Sequence, residues 1–296
     1  MLSSPKLASP LSRKATLVSV EISQWTARKL DRKVTDEVNS SHGASADAGR
    51  YNKLLIEAKR LEKINSLVAR ARTIHYTLTK PWADEGLRIL PNILHDKFTN
   101  QFREIEREFN VAADEFAREY PQFIEERKRA LNGLFNESDY PSASEIRSKF
   151  RLKKRTFPVP DADDFRSDVL DADTVEDIKR ELTENSNTVL HDAMQHTFKQ
   201  VAEAVGHMAT KLKDYSVGGE TRNFFRDSLV ENVREIADLL PAFNLTNDPH
   251  LDALAKRIQR ELTVEDAKTL RENEKTRETV QKSAEDIFKD VSALLG

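Results

Sequence analysis

Cysteine is absent from all 296 residues. Its absence excludes a disulfide framework, a thiolate zinc site, an iron–sulfur cluster and a cysteine nucleophile, and it fits a reducing, cytoplasmic setting. Glycine is scarce, at 8 residues, and isolated apart from Gly218–Gly219. No Gly-Lys-Ser/Thr follows that pair, so a phosphate-cradling loop of Walker or Rossmann type is excluded. Long apolar runs are missing too. Nothing approaches the ~18–20 residues that a membrane helix needs. The Ser- and Pro-containing opening, residues 1–16, has no apolar core ahead of a cleavage site and reads as a flexible lead-in. Excess charge of one sign is lacking as well: 47 Lys and Arg nearly cancel 50 Asp and Glu, leaving −3. The surface therefore has no overall pull toward nucleic acid or anionic lipid.

What the chain does have is helix-forming residues in amphipathic order. Residues 16–23 are the exception. Val18, Val20 and Ile22 alternate there with Leu17, Ser19 and Glu21, the period of a strand. Helices are expected over 24–38, over 46–77, and from Pro81, as a first-turn proline, through Leu90. The longest seam runs through Leu94, Phe98, Phe102, Ile105, Phe109, Ala112, Phe116, Tyr120 and Phe123, extended by Leu131 and Leu134. A continuous helix over 92–135 would be about 66 Å long, and Pro121 predicts a kink or short break near Tyr120. Ser142 with Glu145 makes a capping box, and residues 150–160 read as extended, with Pro158 and Pro160 barring a central strand over the whole run.

After the acidic stretch 161–173, Thr174 and Asp177 are expected to cap a helix. The polar run 183–188 interrupts it, and Gly218–Gly219 ends it. A helix over 221–240 follows, then one from Asp248–Pro249 through Leu262, and a last one capped by Thr263 with Asp266. The reading is a mainly α protein: an elongated bundle of long antiparallel amphipathic helices with a small two-stranded antiparallel β element, residues 16–23 against 150–157. Its domains are a flexible segment 1–15, an N-terminal helical region 16–160, an acidic linker 161–173 and a C-terminal helical bundle 174–296.

Chemistry-bearing patterns are few. His191 and His196 are five apart, on different helix faces. Glu203 and His207 share a face, but a di-iron bundle needs Glu and His three apart on two helices. No Ser occupies a sharp-turn nucleophile context. No catalytic, cofactor or metal residue is therefore assigned. One charge feature stands out. Arg147, Lys149, Arg151, Lys153, Lys154 and Arg155 fall within nine residues without an acid, flanked by Phe150 and Phe157. The run suits a nucleic-acid backbone or an acidic partner; the plainer alternative is an edge strand whose charges block edge-to-edge pairing. The seam Val280, Ala284, Ile287, Val291 and Leu294 reads as coiled-coil-like, and Val280, Ile287, Val291 and Leu294 are candidates for docking or self-association.

Several segments, in order, resemble a known pattern. They are Leu17-Val-Ser-Val-Glu-Ile-Ser-Gln-Trp25, Arg50-Tyr-Asn-Lys-Leu-Leu55 and Gly133-Leu-Phe-Asn-Glu-Ser-Asp-Tyr-Pro-Ser142. Phe157-Pro-Val-Pro160, Asp164-Phe-Arg166, Phe225-Arg-Asp-Ser-Leu229 and Leu239-Leu-Pro-Ala-Phe-Asn-Leu-Thr-Asn-Asp-Pro249 complete the set. Together they resemble a bacterial and bacteriophage family catalogued as domain of unknown function 3150, over nearly the whole chain after the first 15 residues. The resemblance implies no catalytic residues. It implies an accessory or adaptor component, with an AAA-type ATPase as a partner, rather than an enzyme. The expected function is accordingly a non-enzymatic cytoplasmic scaffold or adaptor that binds protein. The alternative is a nucleic-acid-associated phage protein using the basic run 147–155.

Overall fold

The computed structural model describes residues 11–82, 86–215 and 224–295. In chain order its strands and helices begin with β1 (Ala15–Ser23), β2 (Arg28–Leu30), α1 (Arg32–Ser41), β3 (Asn52–Leu54) and α2 (Glu62–Leu78). Then come β4 (Lys80–Pro81), β5 (Arg88–Pro91), α3 (His95–Leu131) and β6 (Arg151–Pro158). Five helices complete it: α4 (Ala172–Asp214), α5 (Ser228–Phe243), α6 (Pro249–Leu262), α7 (Ala267–Glu272) and α8 (Glu274–Leu295). Helix makes up 69% of the structure, so the chain is mainly α. The strands form a four-stranded sheet in the order β4-β5-β1-β6 and a separate β2-β3 pair. β1 and β5 run antiparallel with Ala15 opposite Pro91, and β4 joins β5 with Lys80 opposite Ile89.

The chain divides into two compact units. The terminal unit comprises Met1–Ser19, Leu78–Asp96 and Thr156–Gly296; the middle unit comprises Val20–Thr77 and Lys97–Arg155. Each unit is therefore assembled from separated stretches, unlike the linear division expected at 160 and 174.

In the middle unit the phenylalanine seam of α3 is buried throughout, from Phe98 to Phe123. Salt bridges Arg60–Glu126, Lys63–Glu115 and Arg70–Glu108 link the α2 region to α3. As one number rises the other falls, so the two helices pair antiparallel. Trp25 lies edge-on to Tyr120 and Phe116, and the Tyr120 hydroxyl donates to the Pro141 carbonyl at 3.0 Å. In the terminal unit, apolar side chains of α4, α5, α6, α7 and α8 share one core. Gly206 of α4 permits close approach there. A Cβ at that position would lie 2.9 Å from the Phe288 ring. A second cluster joins Leu11, Ala15, Leu17 and Ile89 to Leu190 and Ala193 of α4.

Several expected elements differ. The helix placed after Pro81 is instead the β4–β5 pair. Trp82 N–H donates to the Leu87 carbonyl at 3.0 Å, and Gly86 adopts φ 81°, a left-handed turn conformation that a helix cannot continue. The expected two-stranded element is thus a four-stranded sheet, in which β1 and β6 are indeed neighbours. The helix placed over 24–38 starts only at Arg32, with Asp31 as its cap, because Arg28–Leu30 pairs with Asn52–Leu54. That pairing also delays the helix expected from 46, which begins at Glu62.

Two expected breaks are absent. α3 runs unbroken through Pro121, although a proline removes one amide donor. α4 continues through the polar run 183–188, where Thr183 and Thr188 return their hydroxyls to carbonyls one turn back. Its cap is Asp171, which accepts from Thr174 N–H at 2.8 Å, rather than Thr174 itself. The Asp248 cap and first-turn Pro249 of α6 match expectation, whereas the last helix is split at Asn273 into α7 and α8. Of the lead-in, residues 11–15 are ordered, with Leu11 and Ala15 buried; residues 1–10 lie outside the described residues. So do Gly218–Gly219 and the start of the helix expected from 221.

Candidate functional site: the basic edge strand

The basic run folds as β6 and the turn before it. Ile146, Phe150 and Leu152 are its anchors, at 0%, 3% and 2% exposure. The Phe150 ring meets Phe116 of α3 edge-on at 5.3 Å. With Leu152 turned inward, strand alternation turns Arg151, Lys153 and Arg155 outward, and all three are exposed, while Lys154 is half-buried. Successive outward side chains on a strand are about 7 Å apart, so the cations form a regular row. Among the described residues β6 is a terminal strand of the sheet.

The six expected cations play different roles. Arg147 is structural: its guanidinium binds Asp114 at 2.5 Å, Asn110 Oδ1 at 3.0 Å and the Phe150 carbonyl at 3.1 Å. Arg155 is paired with Glu21 of β1 at 2.7 Å. The Lys149 carbonyl accepts from the Ser23 hydroxyl at 3.1 Å, leaving its ammonium exposed. Lys149, Arg151, Lys153 and Lys154 have no ion-pair partner among the described residues. A row of uncompensated cations on a strand attracts anionic surfaces, an effect that salt screens.

The C-terminal seam lies elsewhere. Val280, Ile287 and Val291 are at 6%, 0% and 1% exposure, and Leu294 is half-buried against the same core. α8 packs along α4. The seam therefore serves intramolecular packing, as an apolar helix face most often does.

Among the described residues three cations are buried, Lys53, Lys80 and Arg277, and the two lysines differ most in setting. Lys53 of β3 is 4% exposed and reaches Asp139 at 2.7 Å, Asp31 at 3.2 Å and the Leu134 carbonyl at 2.8 Å. Burial pulls its pKa down, but hydrogen bonds to Asp139 and Asp31 outweigh that and hold it above the ordinary lysine value. Lys80 of β4, also 4% exposed, has a different setting. It donates to Gln200 Oε1 and lies 4.0 Å from the Phe243 ring centroid. Burial, reinforced by the Arg88 charge, pushes its pKa down to about 7. His196, one turn before Gln200 on α4, is lowered by burial and then by Lys80 and Arg88, and its Nδ1 is buried without a hydrogen-bond partner. Lys53 lies within the segment Arg50–Leu55 and Lys80 outside every quoted segment, and only packing reveals that either is buried.

Among the described residues no group of three or more His, Asp or Glu is placed to hold a metal ion. A cavity of about 340 Å³ in the terminal unit is lined by Trp82, Pro160, Leu182, Asn185, Ser186, Thr188 and Val189, none of them titratable. No described helix is long and apolar enough to cross a membrane. No protein-family model, curated protein or solved structure matches the chain.

Proposed function

We propose that this chain is a non-enzymatic scaffold or adaptor of a cytoplasmic bacterial or phage assembly, and that it engages a protein partner through the basic face of β6. In this reading the long helices form an antiparallel frame that holds the strand. The observation that supports it is the row Arg151, Lys153 and Arg155, held outward by buried Leu152 and Phe150 and largely without compensating acids. The Phe seam of α3 points inward, and β6 offers its charge to a partner. The family resemblance suggests an AAA-type ATPase as that partner.

The test is light scattering of the purified protein, alone and mixed with a candidate ATPase, for the natural sequence and for an R151E/K153E variant. A complex that forms with the natural sequence and is lost in the variant supports the proposal. A complex indifferent to both substitutions refutes the role of β6. A nucleic-acid role is the second reading, favoured by the same row of cations. It requires binding that weakens steeply as salt rises, and it fails if no binding is measurable at low salt.

A further inference from the structure

β6 combines an edge with a charge pattern. As a terminal strand in the order β4-β5-β1-β6, it turns one side away from β1. A strand edge carries alternating N–H and C=O groups spaced to pair with another extended chain. On the same strand Arg151 and Lys153 project from the exposed face without an ion-pair partner among the described residues, while Leu152 is 2% exposed on the other face.

We infer that this edge accepts an extended acidic peptide as an added β-strand, a mode of docking that rests on the adaptor reading above. The sheet already shows the pairing on its other side. Glu21 of β1 meets Arg155 of β6 at 2.7 Å, a carboxylate on a neighbouring strand beside a β6 cation. An added strand repeats that arrangement on the open side, because directly opposed residues hold their Cβ atoms ~4.5–5.5 Å apart. The matching ligand has Asp or Glu at alternate positions, opposite Arg151 and Lys153, the two outward cations without an ion-pair partner among the described residues. It has an apolar residue between them, beside Leu152.

Two features favour a peptide over a single-stranded nucleic acid. Sequence-tolerant binding of single strands uses exposed aromatic faces for base stacking. Phe150, within the basic run, is 3% exposed and closed off by Phe116, which leaves Phe157 near the end of β6, at 39% exposure, as the strand's single exposed aromatic face, where stacking of successive bases needs several. Phosphates also only accept hydrogen bonds, whereas a strand edge offers donors and acceptors in alternation. The like charges that repel a second copy of β6 are the charges that an acidic strand neutralises.

Fluorescence anisotropy with a labelled, end-capped Glu-Val-Glu-Val-Glu-Val-Glu peptide tests the inference on the full chain. Two further peptides carry N-methyl groups on alternate amides, at the Glu or at the Val positions, and oligo-deoxythymidine and a Lys-Val-Lys-Val-Lys-Val-Lys peptide serve as controls. The acidic peptide should bind. One methylated peptide should match it, and the other should bind at least about tenfold more weakly, since it loses several hydrogen bonds along one edge. The R151E/K153E variant should lose the acidic peptide and gain the lysine peptide. If both methylated peptides bind like the parent, strand addition is wrong, although charge-based docking through β6 survives. Binding of oligo-deoxythymidine with no binding of the acidic peptide overturns the inference in favour of nucleic acid. If neither ligand binds and R151E/K153E leaves assembly with the ATPase unchanged, the adaptor reading of β6 falls with it.

Discussion

Replacing Lys80 by methionine should make the protein more stable. The ammonium group is 4% exposed, its close contacts are a neutral amide and an aromatic ring, and its pKa falls from 10.5 to about 7. At ~1.4 kcal/mol per unit, that displacement corresponds to a ceiling of about 5 kcal/mol held against folding at pH 6. Methionine fills a similar volume without charge, but gives up the Gln200 hydrogen bond and the ring contact. Those are worth ~1 kcal/mol each, so a net gain of about 2–3 kcal/mol is expected for Lys80→Met. In a unit of this size the gain corresponds to roughly 5–10 °C in Tm.

The pH dependence gives the sharper criterion. Below pH 7 both folded and unfolded chains hold the Lys80 proton, so this group adds no slope. Between pH 7 and 10.5 the folded chain has released it and the unfolded chain still binds it, so stability from this group rises with pH. The advantage of Lys80→Met should therefore be largest at pH 6 and shrink by ~1.4 kcal/mol per unit from about pH 7.5 upward. Lys80→Arg keeps its charge throughout and should fall behind the natural sequence most clearly at pH 9. Urea unfolding followed by circular dichroism at pH 6, 7.5 and 9 measures all three proteins. A Lys80→Met variant that is less stable at pH 6, or an advantage that does not change with pH, would show that the buried ammonium is adequately compensated.

Lys53→Met should act in the opposite direction. It strands Asp31 and Asp139 beside an uncharged side chain and should destabilise the middle unit by about 3 kcal/mol, read from the urea midpoint. Gly206→Ala brings a methyl group to 2.9 Å from the Phe288 ring and should cost about 1–2 kcal/mol, with Phe288→Ala in the same chain relieving the clash. Asp248→Ala removes the side chain that accepts from the His250 N–H at the start of α6, and should lower stability by about 1 kcal/mol in the same assay.

Long-period apolar patterns were the legible part of the sequence. The α3 seam from Phe98 to Phe123 and the α6 start at Asp248–Pro249 rest on local signals, helical spacing and a side-chain cap, and both appear where those signals place them. Short strands carry no such signal. Arg28–Leu30 is exposed throughout and is a strand only because Asn52–Leu54 lies beside it. Lys80–Pro81 is two residues long, and its partner begins seven positions later. Pro121 and the run 183–188 show the converse. A local helix-breaking tendency of a few kcal/mol at most is outweighed where the neighbouring turns bury Tyr120 and Phe123, or where threonine hydroxyls bond back to the helix. Of the basic run, the strand and its outward cations were legible, whereas the structural role of Arg147 was not, because Asp114 and Asn110 approach it from a different element.

The same residue type meets three environments in this molecule, and the differences decide which cations are available to a partner. Lys53 is enclosed with two carboxylates, which fix its charge and use it to join β3 to the cap of α1. Lys80 is enclosed without a carboxylate partner among the described residues, so its charge is costly and conditional on pH. Lys153 stands in solvent on a strand held by Leu152 beneath it, charged and already desolvated on neither side. A partner gains nothing from a cation that the fold has neutralised, and it cannot reach one that the fold has enclosed. Selective binding by this chain should therefore respond to charge reversal on β6 and to ionic strength, and should be insensitive to Lys53 and Lys80 substitutions that leave the fold intact.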